Sequence, residues 1–418
     1  MKKIVLCLLT VMVLCMTACG SADTVTEPND TKAPETTVAE STGDVVVQMP
    51  VASRENGVIS AEEWSEMFPE IYASYMANAE NSDAIDHVEE YPQIAKIYEG
   101  MAFNTYYNSA RGHVYTLEDV TSTGRPHPLS NCLTCKTPDY TALVNANGVS
   151  TYKLTFEEVS AQVVESISCY NCHANEAADG SLVVTHQYLS NAMGEDASKI
   201  NAATLSCAQC HNEYYFDPET KATTLPYSGL EAIHPDSILE YYNTMGFADY
   251  TNPRTGTPQI KVQHPEFETF MGEGSKHSSN MSCASCHMGT TTSAEGVTYV
   301  DHEWTSPLDN EELIKNTCSA CHTDLEADVK AIQKEAEDRT VAIADQLVIL
   351  TDKLADAVAS GDYTEDELNA IRGVHRDAQF YWDFVFVENS EGAHNSALTK
   401  YCLDQAETLC KQALGMFK

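Results

Sequence analysis

The sequence predicts a mainly α-helical protein made of two unlike parts: a middle region with too few apolar runs to close a core by itself, and long antiparallel helices at the C-terminus. Three observations support this. Five Cys-x-x-Cys pairs fall between residues 132 and 321, joined by polar loops. A basic side chain follows each pair directly. Beyond His322 the pattern changes, and Val329, Ile332, Val341, Leu347, Leu350 and Leu354 recur at helical spacing.

The pairs are Cys132/Cys135, Cys169/Cys172, Cys207/Cys210, Cys283/Cys286 and Cys318/Cys321, and four of them continue into His173, His211, His287 and His322. This is the frame of c-type haem attachment, in which the sulfurs bond covalently to the haem and the next residue ligates its iron. A zinc ribbon would place two pairs about 15–20 residues apart and gives no reason for an adjacent histidine. Disulfides would not repeat so regular a frame. The middle region therefore reads as a multihaem cytochrome c with a haem-packed core carrying five haem c.

The first frame departs from the rest. It reads Asn131-Cys132-Leu133-Thr134-Cys135-Lys136-Thr137-Pro138, with lysine where the others have histidine. A free lysine has a pKa near ~10.4, so a neutral amine at pH 7 costs roughly 4–5 kcal/mol before an iron bond offsets it. A chain that uses histidine four times had the easier option, so the first haem is expected to do chemistry and the other four to carry electrons. Haems held on both faces change geometry little on reduction, and four of them need four further histidines. Ten remain: His87, His113, His127, His186, His234, His264, His277, His302, His375 and His394. Sequence alone does not choose among them.

The N-terminus suggests a compartment. Lys2 and Lys3 precede an apolar run at 4–16, too short and too early to span a membrane. Met16-Thr17-Ala18-Cys19-Gly20 resembles a lipoprotein cleavage box, which makes 1–18 a lipoprotein signal peptide and Cys19 the lipidated residue; a plain secretory signal is the alternative. The protein is then extracytoplasmic, in the periplasm or on the outer face of the cytoplasmic membrane, and held to the membrane through lipid only. Residues 19–57 are acidic and poor in aromatics, an expected disordered tether.

The formal net charge is −38. Nucleic acid is excluded as a partner on electrostatic grounds, and an anionic substrate requires a locally positive site.

The folded part is expected as a pentahaem catalytic region at 58–322 and a helical region at 323–418, packed together as one domain. Ser60-Ala61-Glu62-Glu63-Trp64 is a capping-box helix start, continued by Tyr72, Tyr75 and Met76. After the first long helix, Ser360-Gly361 is a break, and Thr364-Glu365-Asp366-Glu367 is a second capping box. The last helix is expected over 398–417. Cys402 and Cys410 on it lie about 12 Å apart, beyond disulfide reach, and read as buried thiols.

From about residue 98 onward the chain resembles the ammonia-forming cytochrome c nitrite reductases, pentahaem enzymes of the bacterial cell exterior. The resemblance rests on the five frames in this order with lysine in the first, and on Arg111-Gly112-His113 and Thr123-Gly124-Arg125. It continues through Cys207-Ala208-Gln209-Cys210-His211-Asn212-Glu213-Tyr214-Tyr215-Phe216-Asp217, Lys261-Val262-Gln263-His264-Pro265-Glu266, Asp301-His302, and Arg376, Gln379, Trp382 and Asp383 before His394. It implies Lys136 as proximal ligand of a catalytic haem open to nitrite on its other face, with Arg125, Tyr214 and His264 around that face. It also implies His302, His113, His394 and His277 as distal ligands of the second, third, fourth and fifth haems. A calcium ion is implied beside the site, held by side-chain oxygens of Glu213 and Gln263 and by the carbonyls of Tyr214 and Lys261; oxygen ligands suit a hard cation. The implied activity is six-electron reduction of nitrite to ammonium, fed by a membrane-bound multihaem quinol dehydrogenase; the long C-terminal helices suggest a homodimer. Hydroxylamine and sulfite are alternative substrates. An electron-transfer or storage cytochrome, with all five haems closed, is the alternative function.

Overall fold

The computed structural model describes residues 49–418. The signal peptide, the lipidation site Cys19 and the tether up to residue 48 lie outside the described residues.

The chain engages the body earlier than residue 58. Arg54 bridges Asp139 and Glu165 at 2.9 and 2.8 Å, and Asn56 donates to Asp139 at 2.7 Å. Asp139 is only 2% exposed, and a buried carboxylate must be partnered; the end of the tether supplies the partners. The Ser60–Glu63 capping box forms as expected, but its helix, Ala61–Ser65, is short. A second helix, Pro69–Ala77, follows with proline in its first turn. Proline lacks the N–H that would continue the first helix and is favoured at the start of a new one.

The middle region consists of short helices, single 3₁₀ turns and three two-stranded antiparallel hairpins, at Tyr215–Phe216 with Thr223–Thr224, Tyr250–Thr251 with Pro258–Gln259, and Thr290–Thr292 with Thr298–Val300. The sequence reading did not foresee these strands, which are too brief to show alternation. Helices nevertheless dominate, and the fold is mainly α.

Three long helices close the chain: Leu325–Ser360, Glu365–Phe386 and Ser396–Leu414. Leu347, Leu350 and Leu354 on the first are fully buried, as their spacing predicts. The second starts at the Thr364–Glu367 capping box. Cys402 and Cys410 are buried, free thiols. The middle helix faces two ways. Leu368 and Ile371 pack with Leu350 and Leu354, whereas further along Arg376 donates to the carbonyls of Phe247 and Pro258, and Gln379 donates to the Tyr250 hydroxyl. Asp383, fully buried, accepts from the Val262 amide at 2.9 Å. This helix thus holds the segment that leads to His264.

Candidate active site

Each attachment frame occupies about one helical turn. Cys169–His173 and Cys283–His287 are five-residue helices; the Ser168 amide donates to the Asn171 side chain at the start of the first, and Ser282 and Ser285 cap the second reciprocally. One turn puts the two cysteines, three apart, on one face and brings the histidine beside the first of them. All ten frame cysteines are free, which removes the disulfide reading.

The structure sorts the ten remaining histidines. Five rings lie near frame histidines: His302 faces His173 at 6.4 Å between centroids, His113 faces His211 at 6.3 Å, His394 faces His287 at 6.0 Å and His277 faces His322 at 6.1 Å, while His264, also 6.1 Å from His211, lines the cavity described below. Two imidazoles on opposite sides of one metal, each about 2 Å from it through nitrogen, place their centroids roughly 6 Å apart. Several of these rings also turn Nδ1 outward to an acceptor: His173 to the Ser181 carbonyl at 2.7 Å, His287 to Thr305 at 3.0 Å, His302 to Val300 at 2.9 Å and His394 to the Glu388 carboxylate at 2.6 Å. That outer contact fixes the tautomer and leaves Nε2 for iron. The frames and their facing histidines therefore fit haem.

Two other histidines are structural. His186 uses Nε2 on the Thr134 carbonyl (2.9 Å) and Nδ1 on Gln209 (3.2 Å). His375 uses Nδ1 on Thr257 (3.1 Å) and Nε2 on Thr351 (3.2 Å). The ligand-type atoms of Cys135, His186 and Cys210 lie within 4.8 Å of one another. Both cysteines belong to frames, however, so this cluster marks where the first and third frames abut.

A cavity of about 1220 Å³ gathers the side chains around the first frame. Cys132, Lys136, Arg125, Tyr214, Gln263 and His264 all line it. Arg111 lines it too, but is spent on Glu118 and Asp119 at 3.0 and 2.6 Å. Arg125 has no carboxylate partner among the described residues; its Nε makes a long contact, 3.4 Å, with Thr123, and its guanidinium lies 4.2 Å from the Phe103 ring centroid. In so acidic a chain an unpaired, half-buried guanidinium is the local positive group that an anion requires. Burial pushes the Tyr214 phenol well above its usual range, so it stays protonated. His264 and His211 both turn Nδ1 toward the buried Glu266 carboxylate, each at 3.9 Å. Burial alone would raise Glu266, but the two imidazoles hold it well below the usual carboxylate range.

Next to the cavity, three successive amides each donate to a different carboxylate: Lys261 to the exposed Asp249 at 2.8 Å, Val262 to the buried Asp383 at 2.9 Å, and Gln263 to the buried Glu213 at 2.6 Å. Burial raises the Asp383 and Glu213 carboxyls. Glu268, whose carboxylate meets the Glu213 amide at 3.0 Å, is pushed up by burial to about 8. Against these acids the Lys261 ammonium is a single cation, 3.3 Å from Asp383. The Gln263 carboxamide lies 2.7 Å from the Lys261 carbonyl. Such an excess of buried negative charge, with amide and carbonyl groups alongside, fits a divalent, oxygen-seeking cation. The sequence reading used Lys261 only for its carbonyl. Its buried ammonium, Asp249, Glu268 and the aromatic residues Phe103, Tyr106 and Tyr107 on the cavity wall were not foreseen. The run Phe103-Asn104-Thr105-Tyr106-Tyr107 was the one local hint.

Fold and frames together define a multihaem c-type cytochrome in which one lysine-bearing frame opens on a cavity. The chain belongs to the cytochrome c552 family, whose model matches residues 60–417. Among solved structures it is similar to the cytochrome c nitrite reductase catalytic subunit, NrfA, from Desulfovibrio desulfuricans ATCC 27774, a structure described with two calcium sites. Identity is 26%, 85% of each chain is covered, and the TM-score is 0.76. Two larger cytochromes match more loosely. The outer cell wall cytochrome OcwA is 18% identical, with 72% of this chain and 48% of that one covered and a TM-score of 0.41. The undecahaem cytochrome from the S-layer of Carboxydothermus ferrireducens is 19% identical, with 73% and 41% covered and a TM-score of 0.38. No helix among the described residues is long and apolar enough to cross a membrane.

Proposed function

We propose that this protein reduces nitrite to ammonium at a haem carried by the first frame and ligated by Lys136. The observation that carries the reading is the single cavity into which Lys136, Arg125, Tyr214 and His264 converge from distant parts of the chain. Lys136 makes no ion pair among the described residues, and its recorded hydrogen bonds are through the backbone. Its amine is therefore available to iron. A haem held there would supply iron redox chemistry, and His173/His302, His211/His113, His287/His394 and His322/His277 would hold four further haems able to supply electrons.

The chain's own groups do the rest. Arg125 offers its edge N–H groups to the nitrite oxygens, and its charge offsets the acidity of the body at the point of binding. The protonated Tyr214 hydroxyl and the His264 ring donate protons as the N–O bonds break. Glu266, behind His264, lies 3.9 Å from its Nδ1 and orients the ring. Glu213 and Gln263, with the carbonyls of Tyr214 and Lys261, would hold calcium, which would supply positive field beside the site. Eight protons are consumed in all, and ammonium, a cation, departs readily along an acidic surface.

The protein works as a lipid-anchored, extracytoplasmic homodimer joined through the C-terminal helices and fed by a membrane-bound multihaem quinol dehydrogenase. The resemblance supports the donor, the long C-terminal helices support the dimer, and the cleavage box supports the anchor. The test is the haem-loaded protein with nitrite and a reducing dye. Ammonium should form at one per six electrons, and nitrite should perturb the spectrum of one haem in five. Five unperturbed, low-spin haems would leave an electron carrier instead. Chelating calcium should lower turnover without loss of haem.

A further inference from the structure

What aims Arg125 is not a hydrogen bond. Its recorded side-chain hydrogen bond is the 3.4 Å contact to Thr123, and its outer nitrogens meet no protein acceptor among the described residues. The other arginines are held by polar partners: Arg54, Arg111, Arg254, Arg339 and Arg372 by carboxylates, and Arg376 by carbonyls and Asn243. Arg125 is held by an aromatic wall. Its guanidinium carbon lies 4.2 Å from the Phe103 ring centroid. Tyr107 stands edge-on to that ring at 4.8 Å and 83°, which fixes the plane of Phe103. Tyr106 presses on the residue before Arg125, so that a Cβ at Gly124 would meet its ring at 2.9 Å. Behind the wall, the Lys261 ammonium sits 5.4 Å from the Phe103 centroid, paired with Asp383.

We propose that Phe103 is a positioning residue for the substrate anion: its ring face sets the plane of the Arg125 guanidinium. A guanidinium is flat, with all its N–H donors on the edge. Stacking one face on Phe103 uses none of them and turns that edge into the cavity. A carboxylate in the same place would hold the arginine equally well but would consume the donors and cancel the charge. The proposal rests on Arg125 being the nitrite-binding group.

The test uses the full, haem-loaded chain carrying F103L, F103M or F103Y. Cation–π contacts span weak, exposed cases to stronger, desolvated ones, so F103L and F103M should weaken nitrite binding roughly 3- to 30-fold in a spectral titration. KM should rise more than kcat falls. F103Y keeps the ring face and should stay within about 2-fold of wild type. Hydroxylamine carries no negative charge, and its KM should move less than that of nitrite. Wild-type nitrite affinity in F103L and F103M, or F103Y falling as far as they do, would overturn the proposal. A crystal structure of F103L provides a check that needs no nitrite: the guanidinium should leave its plane, and finding it unmoved sinks the idea. If wild type neither binds nor reduces nitrite, the functional reading fails, and that crystal structure still decides the role of Phe103.

Discussion

The middle region and the C-terminal helices achieve order in different ways. In the helices, Leu347, Leu350 and Leu354 are wholly buried against neighbouring helices, and the apolar pattern accounts for the packing. In the middle region the frame cysteines are half-buried or, at Cys321, exposed, and apolar side chains gather in local groups such as Leu133, Tyr140, Tyr152, Phe156, Val159 and Val163 around the first frame. Other middle-region side chains, among them Ile94, Tyr98, Leu189, Ile238, Tyr242 and Phe267, join one core with Leu347, Phe380 and Trp382 of the helices. Polar staples such as Arg54–Asp139 add to that packing, and the helix Glu365–Phe386 braces the site from behind.

The comparison is broken most severely at Lys136. Lys136→His should exchange the amine behind the first haem for an imidazole and cut nitrite turnover by at least about 100-fold, with haem content and melting unchanged. Assays of rate, haem stain and thermal melting together separate the effects; retained turnover would mean that lysine is not special.

At the joint between the regions, Asp383→Asn leaves the Lys261 ammonium buried without its partner. A loss of about 3–5 kcal/mol in denaturant unfolding is expected, with weaker retention of calcium because the Val262 amide loses a charged acceptor. Within the helices, Leu347→Ala should cost about 2–5 kcal/mol and leave the nitrite KM unchanged, because Leu347 does not line the cavity.

The pH response gives a smaller effect. Burial pushes the His375 imidazole down to about 4. Its unfolded value is near ~6.5, so between those limits the unfolded chain binds the extra proton. Stability from this site is therefore lost as pH falls from about 6.5 to about 4 and changes no further below. Unfolding curves at several pH values should show a flatter slope for His375→Gln than for wild type. The smallest effect belongs to the helix surface. Lys334 pairs with Asp338 at 2.8 Å on exposed turns, and Lys334→Ala should shift stability by no more than about 0.5 kcal/mol.

Much of the molecule was legible beforehand because its signals are short-range. A frame occupies one turn, a capping box spans four residues, and an apolar stripe repeats every turn, so the attachment sites, the Thr364 helix start and the last three helices could be read residue by residue. Pro69 was a readable signal too, and reading Ser60 to Met76 as one helix overlooked it.

Other features had no local signature. Which four of ten histidines face the frames, which carboxylates meet the 261–263 amides, and that Phe103 underlies Arg125 all depend on residues far apart in sequence. Spacing along the chain dictates what one turn of helix can present. Only packing between elements decides which distant groups are driven into one low-dielectric place, where each buried charge and each ring nitrogen has to find its partner.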